Sequence, residues 1–154
     1  MGVILIIKGK DLDVDKFDLG WNIKPRSIFH KGDPVRISKP EGKKVEHSGL
    51  IFTVSNAKHS DLKGQIKEAT EFLERNKEYL NRLSDYPEIE EVVIDFSFNS
   101  RIDRKQVEVQ LDYFPAELIR LAGSFNMALG LTQWPCETLN YQKQLCWKRL
   151  KKRW

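Results

Sequence analysis

The chain's pattern opens with five apolar residues in a row, Val3 to Ile7. A continuous β-rich run of this kind reads as a strand covered on both faces. A short helix is expected next, over about residues 14 to 19. The stretch that follows, "GWNIKPRSIFHKGDPVRISKPEGKKVEHSG", holds four glycines and three prolines. It reads as an irregular connection with a hairpin around "KPEGKK". It is long for a loop without structure, so Trp21, Ile23, Ile28 and Phe29 are expected to pack it down.

From residue 50 the alternation sharpens. "LIFTVS" sets Leu50, Phe52 and Val54 against Ile51, Thr53 and Ser55, a strand period. Leu62, Ile66, Ala69, Leu73, Leu80 and Leu83 then recur at helical spacing, predicting a helix over about 60 to 84. Ser60 or Asp61 can cap it, and Pro87 bars its continuation. "EEVVIDFSFNS" and "QVEVQLDYF" alternate again as two strands joined by the turn "NSRID". Pro115 suits the first turn of a helix reaching about Ser124, and "NMALGLTQW" closes as a strand.

Strand, helix, strand, strand, helix, strand is the split βαβ, or ferredoxin-like, order. The expected fold class is therefore α+β. The N-terminal strand and short helix would be an addition at the sheet edge, and a basic helix or tail would follow the domain. Two helices would cover one face of the sheet. The other face would carry Thr53, Asp95, Ser97, Glu108, Gln110 and Asp112, and would be wet or wait for a partner.

Charge divides the chain in two. Net charge is +4 over 154 residues, but residues 136 to 154 hold six lysines and arginines against one acid, Glu137. The expected division is one α+β domain over 1–135 and a basic amphipathic tail over 136–154. On a helix, Lys143, Trp147, Leu150 and Trp154 would share a stripe, with Lys148, Arg149, Lys151, Lys152 and Arg153 around the rest. Such a helix can bind nucleic acid, an acidic protein groove or an anionic surface, or it can dock on its own domain. No apolar run approaches the ~18 residues of a membrane span. The apolar start lacks the basic flank and cleavage site of a signal peptide, which makes the cytoplasm the expected location. Cys136 and Cys146 match no metal or redox spacing.

Chemistry is scarce. Asp11, Asp13 and Asp15 alternate like the start of a calcium loop, but Lys16 stands where such a loop needs Gly and Asn22 where it needs Glu. Asp13 as a helix cap is the better reading. His30, His47 and His59 show no zinc spacing, and no phosphate loop, dinucleotide motif or nucleophile elbow occurs. No cofactor is expected. Asp95, Glu108 and Asp112 could cluster on the open sheet face. Trp21, Arg26, His30 and Asp33 are the loop residues placed to line a ligand pocket if one exists. Neither "VVIDFSF" nor "VEVQLDYF" carries the basic–aromatic signature of an RNA-binding sheet.

From residue 3 to about 135 the chain resembles the domain of unknown function 4279 family, which is mainly bacterial. The resemblance rests on several stretches. The opening strand runs into "GKDLDVDKF", and "LGWNIKPRSIFHKGD" carries Pro25 and Lys31-Gly32-Asp33. The Leu-rich helix, the paired strands and "FPAELIRLAGSFNMALGL" also fit. The family often has an aromatic where His30 stands, a place Phe29 can take, and the tail after Trp134 departs from the pattern. The resemblance implies no catalytic residues. Some similar proteins look like immunity proteins that plug bacterial toxins. The leading expectation is thus a non-catalytic protein-binding module. Nucleic-acid or surface binding through the tail is the second, and a small-ligand sensor or enzyme the third.

Overall fold

The first strand, β1 (Val3–Gly9), alternates buried Val3, Leu5 and Ile7 with half-buried Ile4, Ile6 and Lys8. In the computed structural model, which describes residues 2–102 and 108–135, this strand is the middle of the molecule. It pairs antiparallel on one edge with β3 (Ser48–Ser55) and on the other with β4 (Glu91–Asn99). Beyond β3 lies the short β2 (Ser27–Phe29), antiparallel to it. Beyond β4 lies β5 (Ala128–Trp134), parallel to it. The sheet has five strands in the order β2-β3-β1-β4-β5.

The described helices all pack on one face. Helix α1 (Leu62–Arg75) carries the chain from β3 to β4 and buries Gln65, Ala69 and Leu73. Asp61 caps it, its carboxylate accepting from the Gly64 N–H at 2.9 Å. The expected single helix breaks at Asn76, whose side-chain amide donates to the Phe72 carbonyl at 2.7 Å. An asparagine side chain competes in this way with the backbone ladder. The short α2 (Lys77–Asn81) and a 3-10 turn (Arg82–Asp85) follow, burying Leu80 and Leu83. Helix α3 (Ala116–Ser124) buries Leu118, Leu121 and Ala122 and links β4 to the parallel β5. Leu5, Ile7, Phe52, Ile94 and Phe96 meet these helices in one core.

The α+β class therefore stands, and the ferredoxin-like order does not. The N-terminal strand is central rather than an edge addition. Its two-sided apolar run is the reason: the most hydrophobic strand gains most from neighbours on both edges. The expected strand over "QVEVQLDYF" is absent between residues 108 and 115. Val109, Leu111 and Tyr113 do alternate, and they stand 80%, 67% and 75% exposed. Both edges of β4 are already taken, by β1 and β5, so a hairpin partner has nowhere to pair. Phe114 instead docks on Phe96, ring centroids 4.9 Å apart, and holds this segment on the helix side.

The expected helix over 14 to 19 is a single turn. Asp13 does cap it: its carboxylate and its carbonyl both face the Lys16 N–H at 3.3 Å. The long connection folds as expected around "KPEGKK", with Val35 N–H to Lys43 O at 2.9 Å and a bridge between Pro34 and Lys44. Trp21 and Ile23 pack against the core, while Ile28 stays 44% exposed. The tail from residue 136, with Trp147, Lys148, Arg149, Lys151, Lys152, Arg153 and Trp154, lies outside the described residues.

Candidate partner-binding face

The pleat that buries Val3, Leu5 and Ile7 turns Ile4, Ile6 and Lys8 to the opposite face, on which no helix lies among the described residues. Register then assembles this face row by row. One row crosses all five strands: Ser27, Ile51, Ile6, Val93 and Ala128. The next runs Thr53, Ile4, Asp95 and Gly130. Ile4, Ile6, Ile51 and Val93 thus form an apolar centre, half-buried by their neighbours in the sheet.

A polar and aromatic rim surrounds it. Lys8 Nζ pairs with Glu91 at 2.6 Å. Phe29 lies over Gly49, where an added Cβ would stand 2.5 Å from the ring. The Asp95 carboxylate accepts from the Thr132 hydroxyl at 2.9 and 3.1 Å. Gly130 makes room for it, since a Cβ there would meet Asp95 Oδ1 at 2.7 Å. Trp134 donates its indole N–H to Ser97 Oγ at 2.7 Å and stacks parallel to His59, centroids 6.1 Å apart.

The expected carboxylate cluster does not form. Asp95 is on the open face, but Asp112 sits beside the start of α1. There it is held by Arg101 at 2.8 Å and by the Gln110 amide at 2.6 Å. Glu108 is exposed in the segment outside the sheet. The cause is the missing strand, which would have carried Glu108 and Asp112 alongside Asp95. Gln110 and Asp112 are spent on anchoring Arg101.

The proposed pocket lining also separates. His30 and Asp33 meet: the Asp33 carboxylate accepts from the His30 backbone N–H at 2.7 Å. Asp15 approaches His30 Nε2 at 3.4 Å, and Asp11 approaches Lys31 at 3.7 Å. Trp21 packs edge-on to Phe52 at 5.1 Å and to Phe72 at 6.0 Å, and it lines a cleft of about 320 Å³ with Asp15, Pro25 and Ile28 but without Arg26, His30 or Asp33. Arg26 is pinned through its backbone N–H to the Ile51 carbonyl at 2.7 Å. The alternating aspartates serve separate contacts to Lys31, Lys16 and His30.

Two larger clefts are present. One, of about 480 Å³, lies between the 3-10 turn and the end of α3. Its serines Ser84 and Ser124 give their hydroxyl protons to the Asn81 and Leu121 carbonyls, which occupies them structurally. The other, of about 590 Å³, lies between the start of α1 and the 108–115 segment. Its carboxylates are engaged as well, Asp61 in capping α1 and Asp112 with Arg101. Among the described residues no group of three or more His, Cys, Asp and Glu is arranged to hold a metal ion. No helix among them is long and apolar enough to cross a membrane.

Sequence reasoning placed Thr53, Asp95 and Ser97 on the open face and missed its apolar centre. The signal was available in the Val3–Ile7 run, which has no polar alternate until Lys8. Together these features define an α+β module with a one-sided mixed sheet and an apolar-centred open face. The chain belongs to the family described as domain of unknown function (DUF4279), which matches residues 1–135. No curated protein and no solved structure matches it.

Proposed function

We propose that this domain is a non-catalytic protein-binding module and that the helix-free face of the sheet is its contact surface. The observation that carries the reading is the central strand. Its sequence is apolar on both faces, yet among the described residues the helices cover only one. Ile4, Ile6, Ile51 and Val93 form the kind of apolar patch, ringed by polar groups, that marks interaction sites. An inhibitor that plugs another protein, of the immunity type, is the specific form of this reading, in a cytoplasmic setting. The Ser84 and Ser124 hydroxyls and the Asp61 and Asp112 carboxylates that line the two larger clefts are already hydrogen-bonded within the fold, which favours binding over catalysis.

The test uses the full chain as bait in native lysate at high salt. Ile6→Lys and Val93→Lys should abolish retention of one specific partner while leaving the thermal unfolding transition cooperative. Retention of the same partner by both variants would move the contact elsewhere.

A second reading rests on the charge of residues 136 to 154, six cations against one anion. Here the tail binds nucleic acid. Affinity for a single-stranded oligonucleotide would then fall steeply with salt. An affinity indifferent to salt would exclude it.

A further inference from the structure

We propose that two copies of this chain pair edge to edge through β5, in antiparallel register about Leu131, to make one continuous sheet. This goes beyond the open-face reading and does not depend on it.

The two edges of the sheet are treated differently by the sequence. Edge strand β2 is three residues long, and Lys24, Pro25, Arg26 and Lys31 flank it. Short length, proline and cations are the usual protections of an edge. Edge strand β5 is seven residues, "ALGLTQW", with no charge or proline within it and no register shift against β4; Pro135 directly follows it and ends the pairing there. Among the described residues no strand lies beyond it.

Its backbone polarity can be assigned. The Trp134 carbonyl accepts from the Ser100 N–H at 2.7 Å, so the main-chain groups of residue 134 face β4. With the strand period of two, those of Thr132, Gly130 and Ala128 face the same way. The N–H and C=O groups of Leu129, Leu131 and Gln133 therefore point outward.

These three positions are symmetric about Leu131. In an antiparallel self-pairing centred there, Leu131 lies opposite its own copy and Leu129 lies opposite Gln133. Each outward residue exchanges both main-chain bonds with the other protomer. The side chains also fit. Leu131, 59% exposed, would cover its symmetry mate. On the open face Gly130 meets Thr132, and Ala128 meets Trp134, which is 48% exposed, so a small residue faces a larger one each time. A second copy is the occupant that fits this edge: like charges oppose self-pairing and the strand has none to place opposite themselves, and its outward residues match their own copies about Leu131.

The experiment combines sedimentation equilibrium with residue-resolved amide exchange, on the full chain. The wild type should be a dimer in the micromolar range, with Leu129, Leu131 and Gln133 amides protected. Leu131→Lys sets two ammonium groups across the axis on an exposed position and should give a monomer with those amides exchanging fast. Gln133→Pro removes an outward N–H while sparing the β4 ladder, and should raise the dimer dissociation constant at least tenfold. Three results would overturn the proposal. A monomeric wild type with these amides unprotected would leave the edge bare. A monomer with them protected would assign the edge to the chain's own remaining residues. A dimer that survives both substitutions would place its interface elsewhere.

Discussion

Gln65 carries more structure than any other polar side chain in the core. It is fully buried, and its amide donates to the Lys58 and Ser97 carbonyls at 2.9 Å each, tying α1 to the β3–α1 connection and to β4. Gln65→Leu keeps the bulk and strands two carbonyls, so it should destabilise the domain by about 2 kcal/mol. Gln65→Glu should be worse, because it aims a carboxylate at two carbonyl oxygens in a dry site. Urea unfolding checks both, and a loss below about 0.5 kcal/mol for both would contradict the role. Nothing in the sequence marks Gln65 as special. Its residue type reads as an ordinary surface glutamine, although its place three after Leu62 and four before Ala69 puts it on the buried stripe of α1. Its burial follows from the close approach of Gly2, where a Cβ would meet the Gln65 side chain at 2.6 Å. Asp13 was legible by contrast, since a carboxylate three residues before Lys16 at the start of a turn is a local matter. Its hydrogen bond with Lys16 holds its carboxyl below the ordinary 3.8 and lifts Lys16 above 10.5. A lowered acid contributes above its unfolded value and fades as pH falls through the folded one; a raised base contributes below its unfolded value and fades as pH rises through its folded one. The contact is therefore intact between those limits. NMR titration should place the Asp13 midpoint below that of an unperturbed aspartate, and Lys16→Ala should raise it toward that value, the backbone N–H bonds to Asp13 remaining.

At the scale of elements, local signals were read correctly where one element decides its own shape. The α1 stripe through Ala69 and Leu73 and the alternation of β4 are such cases. They failed where a neighbour decides. The alternation of Val109, Leu111 and Tyr113 has strand character, but both edges of β4, its neighbour in the chain, are taken. The Asp13–Leu19 segment can cap a turn but goes no further as a helix. The end of α3 shows the opposite case, a local motif the pattern hides. Asn126 adopts a left-handed φ of 55°, Met127 N–H reaches the Ala122 carbonyl at 3.0 Å, and Asn126 N–H reaches Gly123 at 3.0 Å. This is a Schellman closure with asparagine where glycine is commonest. Asn126→Gly should be neutral or slightly stabilising, and Asn126→Ala should lose about 1 kcal/mol, because alanine bears the left-handed penalty without asparagine's local bonding. Thermal melts of the two variants separate these outcomes. Equal melting would mean that the cap contributes nothing.

For the whole molecule, the sheet order is what the sequence withheld. A linear reading pairs neighbours in the chain, and it makes an edge of a strand that comes first. Here β1 waits for β3 and for β4, whose sequences lie some forty and ninety residues later. That arrangement concentrates apolar residues in the sheet centre and leaves Ile4, Ile6, Ile51 and Val93 on a face that, among the described residues, no helix covers. The polar half of the expected site, Glu108 and Asp112, was lost with the strand meant to carry it. Its apolar half was legible in composition but was assigned to cover that the described residues do not provide. The most direct measurement is site-specific photo-crosslinking in the full chain, inside its native cell. A photoreactive residue replaces Ile6 at the centre of the open face, and a control replaces exposed Glu71 on α1. The expected result is one discrete adduct with a different protein from position 6 and none from position 71. No adduct from position 6, or the same adducts from both, would contradict a partner-binding role for this face.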